Sequence, residues 1–244
     1  VVITGEIGAG KTTVCRTLLN KLDMNTRAAT ITNTHLTCKE LIGAILEEFE
    51  VEYKPGTKQK MLSQLNGFLI KQLAAGRNIV LIIDEAQNLS TKVLEEVRML
   101  SNLETEKEKL IQIILVGQPQ LKEKLKNLRL EQFKQRVAVF YHLAGLSRGE
   151  TQEYISHRIK LVSANNLHDL FTPKAIDLIY QYSGGIPRLV NLVCDSALLS
   201  GYIFESKEIT DSIITDVVKE RDFDLLVKED LFLKTFCCPE CKQY

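Results

Sequence analysis

The chain opens on an apolar run, Val1-Val2-Ile3-Thr4, that breaks into Gly5-Glu6-Ile7-Gly8-Ala9-Gly10-Lys11-Thr12 and then into a helical pattern. That order constrains the fold more than any other feature of the sequence. The stretch fits G-x-x-x-x-G-K-S/T, the Walker A pattern, directly after a strand-like run and directly before a helix. Glycines let the backbone curl until consecutive N–H groups face inward, and a helix N-terminus behind them adds the positive end of its dipole. The product is a cradle for an anion. Lys11 supplies a mobile charge suited to the β- and γ-phosphates of ATP, and the Thr12 hydroxyl suits a coordination position of Mg²⁺. The candidate nucleotide-binding residues are Gly5, Gly8, Ala9, Gly10, Lys11, Thr12 and Thr13. The alternative is a glycine-rich turn with a chance lysine.

Further short apolar runs follow at 28–33, 79–83, 111–116 and 137–143, with helical patterns between them. Continuous β-branched runs alternating with amphipathic helices are the mark of a parallel sheet buried on both faces. The expected fold class is α/β, with five parallel strands flanked by helices.

From Ser147 onward every segment is helical in period. Ser147-Arg148-Gly149-Glu150 reads as a capping box, Thr172-Pro173 as a cap before proline at the first helical position, and Thr210 as the cap of a helix through Val218. Gly184-Gly185-Ile186-Pro187 is a turn between two of these helices. The expected domains are a nucleotide-binding core over 1–145, a small all-helical domain over 146–221 and a tail over 222–244.

A second acidic signal completes the site. In Ile79-Val80-Leu81-Ile82-Ile83-Asp84-Glu85 an acidic pair ends a buried parallel strand, the Walker B arrangement, and emerges at the edge where open α/β sheets bind ligands. Asp84 is then placed to hold Mg²⁺ through water, and Glu85 to act as general base on the attacking water. The alternative is that the two carboxylates only begin a loop or cap a helix.

Composition narrows the partners. The 31 basic and 31 acidic residues cancel, which gives no whole-molecule field for a polyanion or an anionic membrane. Lys122, Lys124, Lys126 and Arg129 form a modest basic cluster, either a nucleic-acid contact or a solvated helix face. The charge run Glu104-Thr105-Glu106-Lys107-Glu108-Lys109 reads as a solvated loop or helix end. The longest apolar run, 79–83, is far short of the roughly 18 to 20 residues of a bilayer span. Cys15, Cys38 and Cys194 lie in apolar helical patterns and read as free thiols of a reducing cytosol. Cys238-x-x-Cys241 matches half of a tetrahedral zinc site, but a closed site takes four Cys or His ligands and the adjacent Cys237 rarely shares one metal, so zinc is the lesser reading. The opening inside an apolar run reads as a chain without its natural N-terminus.

The passages GEIGAGKTT, LIIDEAQNLS, EVRMLSNLE, LVGQPQL, LEQFKQRV with YHLAGLS, and SGGIPRLVNLVCD occur in this order from Val1 to about Arg221. In that order the chain resembles the AAA+ ATPases, in the group typified by general secretion pathway protein A and the ATPases of exosortase and exopolysaccharide gene clusters. The resemblance implies a P-loop ATPase core followed by a helical lid. It implies that Gln118, after the fourth strand, is the polar sensor of the γ-phosphate, where most of the family use Asn or Thr. It further implies that Arg136 is an arginine finger offered in trans to a neighbouring subunit, and that Arg188 is a second sensor on the lid. The residues alone leave a surface salt bridge for Arg136 and a helix-cap contact for Arg188. The family's segment that packs on adenine, ahead of the first strand, has no counterpart here.

The implied function is an ATP-hydrolysing, homo-oligomeric motor or switch of a bacterial secretion or exopolysaccharide export system. It would work with envelope proteins, in the cytoplasm or at the inner face of the cytoplasmic membrane. A DNA-associated ATPase of the transposition-regulator or loader type is the alternative, and a nucleotide-gated scaffold with negligible turnover is a third.

Overall fold

Strand pairing in the computed structural model, which describes residues 1–105, 108–162 and 170–220 apart from the Arg129 side chain, follows the hydrophobic runs. The strands are β1 (Val2–Gly5), β2 (Thr26–Ile31), β3 (Asn78–Ile83), β4 (Gln112–Gly117) and β5 (Phe140–Leu143). They form a five-stranded parallel sheet in the order β2-β3-β4-β1-β5. The helices between them are α1 (Lys11–Lys21), α2 (Cys38–Glu48), α3 (Lys58–Ala74), α4 (Thr91–Ser101), α5 (Pro119–Leu125) and α6 (Glu131–Arg136).

Parallel crossovers are right-handed, so the direction in which the chain steps along the sheet decides which face its helix covers. From β1 the chain steps outward to β2, and every later step runs back the other way. Accordingly Cys15, Leu18 and Leu19 of α1 pack on Ile3, Val80, Ile82, Ile114 and Val116. On the opposite face Leu41, Ile45, Leu65, Leu69, Leu94 and Leu121 of the remaining helices pack on Ile31, Ile79, Leu81, Ile83 and Leu115. The alternation along β3, odd residues to one face and even to the other, is the two-residue period of a strand. Each fully buried Leu or Ile here is worth about 1.5–3 kcal/mol of transfer free energy.

Two strands differ from the sequence reading by more than one residue. β2 begins and ends two residues earlier than 28–33, because Thr26 and Arg27 pair with Asn78 and Ile79 while Thr32 and Asn33 leave the sheet. β5 is shorter than 137–143 and is not buried on both faces: Phe140 is 44% and Tyr141 55% exposed. Among the described residues it pairs with β1 alone, at the edge of the sheet. Of the charge run, Glu104 and Lys109 form an isolated antiparallel bridge.

The described residues fall into two compact units that divide between Leu143 and Ala144. The second holds α7 (Arg148–Val162), α8 (Pro173–Ser183), α9 (Pro187–Ile203) and α10 (Asp211–Glu220) around Ile155, Ile179, Val190, Val193, Ile214 and Val217. The Ser147 N–H donates to Glu150 Oε2 at 2.7 Å and the Glu150 N–H to Ser147 Oγ at 3.3 Å, a reciprocal capping box. The bond from the Ser147 amide holds the Glu150 carboxyl below its ordinary range. Thr172 Oγ1 accepts from the Ala175 N–H at 3.2 Å. Thr210 behaves differently: its hydroxyl pairs with that of Ser212 at 2.8 Å rather than with a backbone amide. The tail cysteines Cys237, Cys238 and Cys241 lie outside the described residues.

The turn before α9 is closely packed. Gly185 has φ +72°, and a Cβ there would lie 1.9 Å from the Leu146 carbonyl oxygen, whose own amide donates to Gly185 O at 2.8 Å. Gly184, at φ +57°, faces open space. Gly185→Ala is therefore expected to lower the unfolding free energy by about 2–4 kcal/mol, whereas Gly184→Ala costs only about 1–2 kcal/mol for its left-handed backbone. Urea titrations of the two variants measure the difference.

Cys15 and Cys194 are buried free thiols and Cys38 is half-buried. Burial pushes the Cys194 thiol up to about 12, with Asp195 adding to the rise and Arg158 opposing it. Because the folded state holds that proton more tightly, this contribution to stability is complete below about pH 9 and declines toward pH 12. Iodoacetamide at pH 8 should leave Cys194 unmodified in the native protein and label it after unfolding, as read by peptide mass spectrometry.

Candidate nucleotide site

The turn between β1 and α1 is shaped by three glycines, for two reasons. A Cβ on Gly5 would lie 2.7 Å from the Leu143 carbonyl oxygen, so glycine lets the end of β1 lie against the end of β5. Gly8 (φ 81°) and Gly10 (φ 96°) are left-handed, a conformation that costs a side-chain-bearing residue about 1–2 kcal/mol. Gly10 is the N-cap of α1 and provides no side-chain cap, and the first turn contains no acidic residue. The first intrahelical bond is Val14 N–H to Gly10 O at 3.0 Å. The amides of Lys11, Thr12 and Thr13 thus have no intrahelical acceptor, and no carboxylate competes for the positive end of the helix dipole.

Lys11 is 7% exposed, and its Nζ donates to the carbonyls of Gly5 and Glu6, both at 2.9 Å. A buried ammonium needs such acceptors, and here the loop it belongs to supplies them. Ala9 is buried in the same loop, while Thr12 and Thr13 are exposed.

Strand order brings the second half of the site to the first. β1 and β4 are neighbours whose outgoing connections run in opposite directions, the position at which open α/β sheets form a ligand crevice. β3 lies next to β4, and its end presents Asp84, whose Oδ2 accepts from Thr12 Oγ1 at 3.2 Å. Residues 72 positions apart in sequence are therefore in direct contact. Thr12 and Asp84 together offer hard oxygen donors of the kind Mg²⁺ prefers. The carboxylate of Asp84 is also braced by the Glu85 amide, which donates to Oδ1 at 2.9 Å.

Glu85 itself has φ 50°, ψ 36°, a left-handed conformation unusual for a residue with a side chain. The buried Thr34 hydroxyl donates to its carbonyl at 3.2 Å. Gln118, the N-cap of α5, reaches Glu85 Oε2 through its side-chain amide at 3.3 Å. Gln87 lies in the same cluster and was not singled out by the sequence reading. The available signal was an amide two residues past the acidic pair, in LIIDEAQNLS.

The two arginines lie on other elements. Arg136 is exposed, ends α6 and precedes the first β5 residue, Phe140, which pairs with Val2. It therefore lies at the N-terminal edge of the sheet, at least about 10 Å along β1 from the Gly5 end. Arg188 is exposed on the first turn of α9, in the second unit. Among the described residues neither arginine forms a salt bridge. Two residues of the basic cluster are engaged: Lys124 Nζ donates to the carbonyls of Gln87 (2.5 Å) and Leu89 (2.9 Å), and Lys126 pairs with Glu123 at 2.8 Å.

Comparison with known proteins bears on the family and the fold. Residues 1–125 match the family profile described as AAA domain. General secretion pathway protein A of Aeromonas hydrophila is 43% identical over 210 residues, which is 86% of this chain and 38% of that protein. Among solved structures, Cdc6p from Pyrobaculum aerophilum superposes with a TM-score of 0.69 at 18% identity, over 90% of this chain and 60% of the other. The RuvB Holliday junction branch migration motor of Thermotoga maritima does so with a TM-score of 0.60 at 16% identity, over 89% and 60%. The ORC1 protein of Aeropyrum pernix, solved in complex with DNA, has a TM-score of 0.60 at 14% identity, over 91% and 60%. The chain thus spans well under two thirds of each of these proteins. With the sheet order, the glycine loop and the AAA profile over its first half in agreement, the chain belongs to the AAA+ family of P-loop proteins and is a relative of general secretion pathway protein A.

Proposed function

We propose that this chain binds ATP with Mg²⁺ and hydrolyses it, as the nucleotide-driven switch of an oligomer serving bacterial secretion. The observation that carries the reading is the Thr12–Asp84 contact, which joins the lysine loop to the acidic strand end. On this reading the amides of Lys11 to Thr13 and the Lys11 ammonium grip the β- and γ-phosphates, with Lys11 leaving its loop carbonyls to do so. Thr12 and Asp84 hold Mg²⁺, which when bound neutralises charge on the phosphate oxygens. Glu85 accepts the proton of the water whose oxygen attacks the γ-phosphorus as the bond to the ADP oxygen breaks. Gln118, beside Glu85, is placed to report the γ-phosphate.

Arg136 is too far along the sheet to serve its own chain's loop and is offered to a neighbouring copy, while Arg188 acts from the helical unit as the second sensor. Catalysis then depends on assembly, because cations must gather round the charge that spreads over the γ-phosphate. The likeness to general secretion pathway protein A supports secretion machinery as the partner. On this reading the chain works in the cytoplasm or at the inner face of the cytoplasmic membrane. An exopolysaccharide system is a variant of the same role. Among the described residues no helix is long and apolar enough to cross a membrane. The DNA-associated reading draws on the ORC1 and RuvB likenesses, which are likenesses of fold. The occupied Lys124 and Lys126 argue against it.

Lys11→Ala should abolish ATP binding, and Glu85→Gln should bind ATP normally while turnover falls about 10²–10⁴-fold. Equilibrium binding of a fluorescent ATP analogue and phosphate release measure the two effects, and normal turnover in both variants refutes the site. Arg136→Ala should keep ATP affinity and lose turnover about 10³-fold or more. Mixing it with Glu85→Gln subunits should restore part of that activity, since mixed interfaces contain one intact glutamate and one intact arginine. No recovery on mixing refutes action in trans.

A further inference from the structure

The hydrogen bonds around Glu85 form a closed circuit, and Gln87 is its keystone. Gln87 Nε2 donates to Glu85 Oε2 at 2.5 Å, and Gln87 Oε1 accepts the backbone N–H of Gln118 at 3.0 Å. Gln118 Nε2 then donates to the same Glu85 oxygen at 3.3 Å. One side chain thus uses its donor on the end of β3 and its acceptor on the end of β4. Two amide donors converge on Oε2 and fix the rotation of the carboxylate, and no described residue donates to Oε1.

The backbone around Gln87 is built to hold that position. Gln87 sits in a 3₁₀ turn, Ala86–Asn88, whose flanking Ala86 and Leu89 are fully buried. Lys124 Nζ reaches across from α5 to the carbonyls of Gln87 and Leu89. A Cβ on Gly117 would lie 2.8 Å from Gln87 Oε1 and 3.3 Å from its backbone nitrogen, so the end of β4 is glycine where the turn closes on it. The turn leaves Glu85 at φ 50°, and such a conformation persists only where its surroundings over-determine it.

From this circuit we infer that Gln87 is a positioning residue for hydrolysis, which orients the Glu85 carboxylate and ties its orientation to Gln118. It does not touch nucleotide. Gln118 moving toward or away from a γ-phosphate pulls on Gln87 through its backbone N–H and on Glu85 through its side chain, so occupancy of the sensor and aim of the base change together. The inference rests on Glu85 being the general base.

The test uses the assembled protein under single-turnover conditions, with Gln87→Ala and Gln87→Met. The methionine keeps the side-chain length and removes both hydrogen-bonding groups, and serves if the alanine variant misfolds. Binding of Mg²⁺ and the fluorescent ATP analogue, with a thermal melt, checks the fold. The expected result is ATP affinity within about twofold of the parent and a hydrolysis rate roughly 10- to 100-fold lower, as a displacement of about 1 Å at a catalytic group produces. In a Glu85→Gln background the same Gln87 changes should have no further effect, because there is no base left to orient. If Glu85→Gln hydrolyses at the parent rate, the general-base reading fails and takes this inference with it. If Glu85→Gln is inactive but both Gln87 variants turn over normally, only the role of Gln87 is overturned. A loss of ATP affinity matching the loss of rate, or a Gln87 effect that persists undiminished in the Glu85→Gln background, also overturns it in favour of a purely structural role.

Discussion

The parallel pairing of β1 with β4 underlies everything else in the first unit. It places the glycine loop that follows β1 beside the end of β4, with β3 one strand further on, so that Thr12 meets Asp84. Because right-handed crossovers bind stepping direction to sheet face, that pairing also sends α1 alone to one side and the later helices to the other. The crevice at the reversal is a product of chain direction, and the loop residues only line it.

Charge in this crevice is arranged against the usual economy of burial. A nearly buried lysine, a left-handed glutamate and a helix N-terminus without a cap each cost stability, and each is offset locally. Lys11 uses the carbonyls of its own loop, Glu85 is held by Thr34, Gln87 and Gln118, and α1 leaves its first amides for an anion. The two partners of Lys11 are carbonyls of Gly5 and Glu6 in its own loop, not carboxylates, so the ammonium can exchange them for phosphate oxygens without breaking an ion pair.

Much of this was legible in the linear chain because it is local. The Walker A stretch places a strand, a tight turn and a helix within a dozen residues, and glycines at left-handed positions are a requirement of that turn. Capping at Ser147 and Thr172 is decided over three residues and was equally readable. Where a choice depended on a distant partner, local pattern failed. β2 slid by two residues because its bounds follow what β3 offers, and β5 lost burial because it pairs on one side only. Thr210 met Ser212 instead of an amide, since neighbouring hydroxyls compete for the same bond. Gln87 escaped notice because its acceptor bonds an amide 31 residues away.

By itself the sequence determined the kinds of element and their order, the glycine loop with its lysine, the acidic pair at a strand end, and the change from sheet to helices, which it put at residue 146. Those properties follow from side-chain period, backbone freedom and the charges of neighbours in the chain. Only the tertiary structure decided the order of strands, the meeting of Thr12 with Asp84, the binding of Gln118 to Glu85 through Gln87, the diversion of Lys124 to backbone carbonyls, and the separation of Arg136 from its own loop. These depend on which strands pair and in what register, and pairing is settled by the burial of whole faces rather than by any short run of residues.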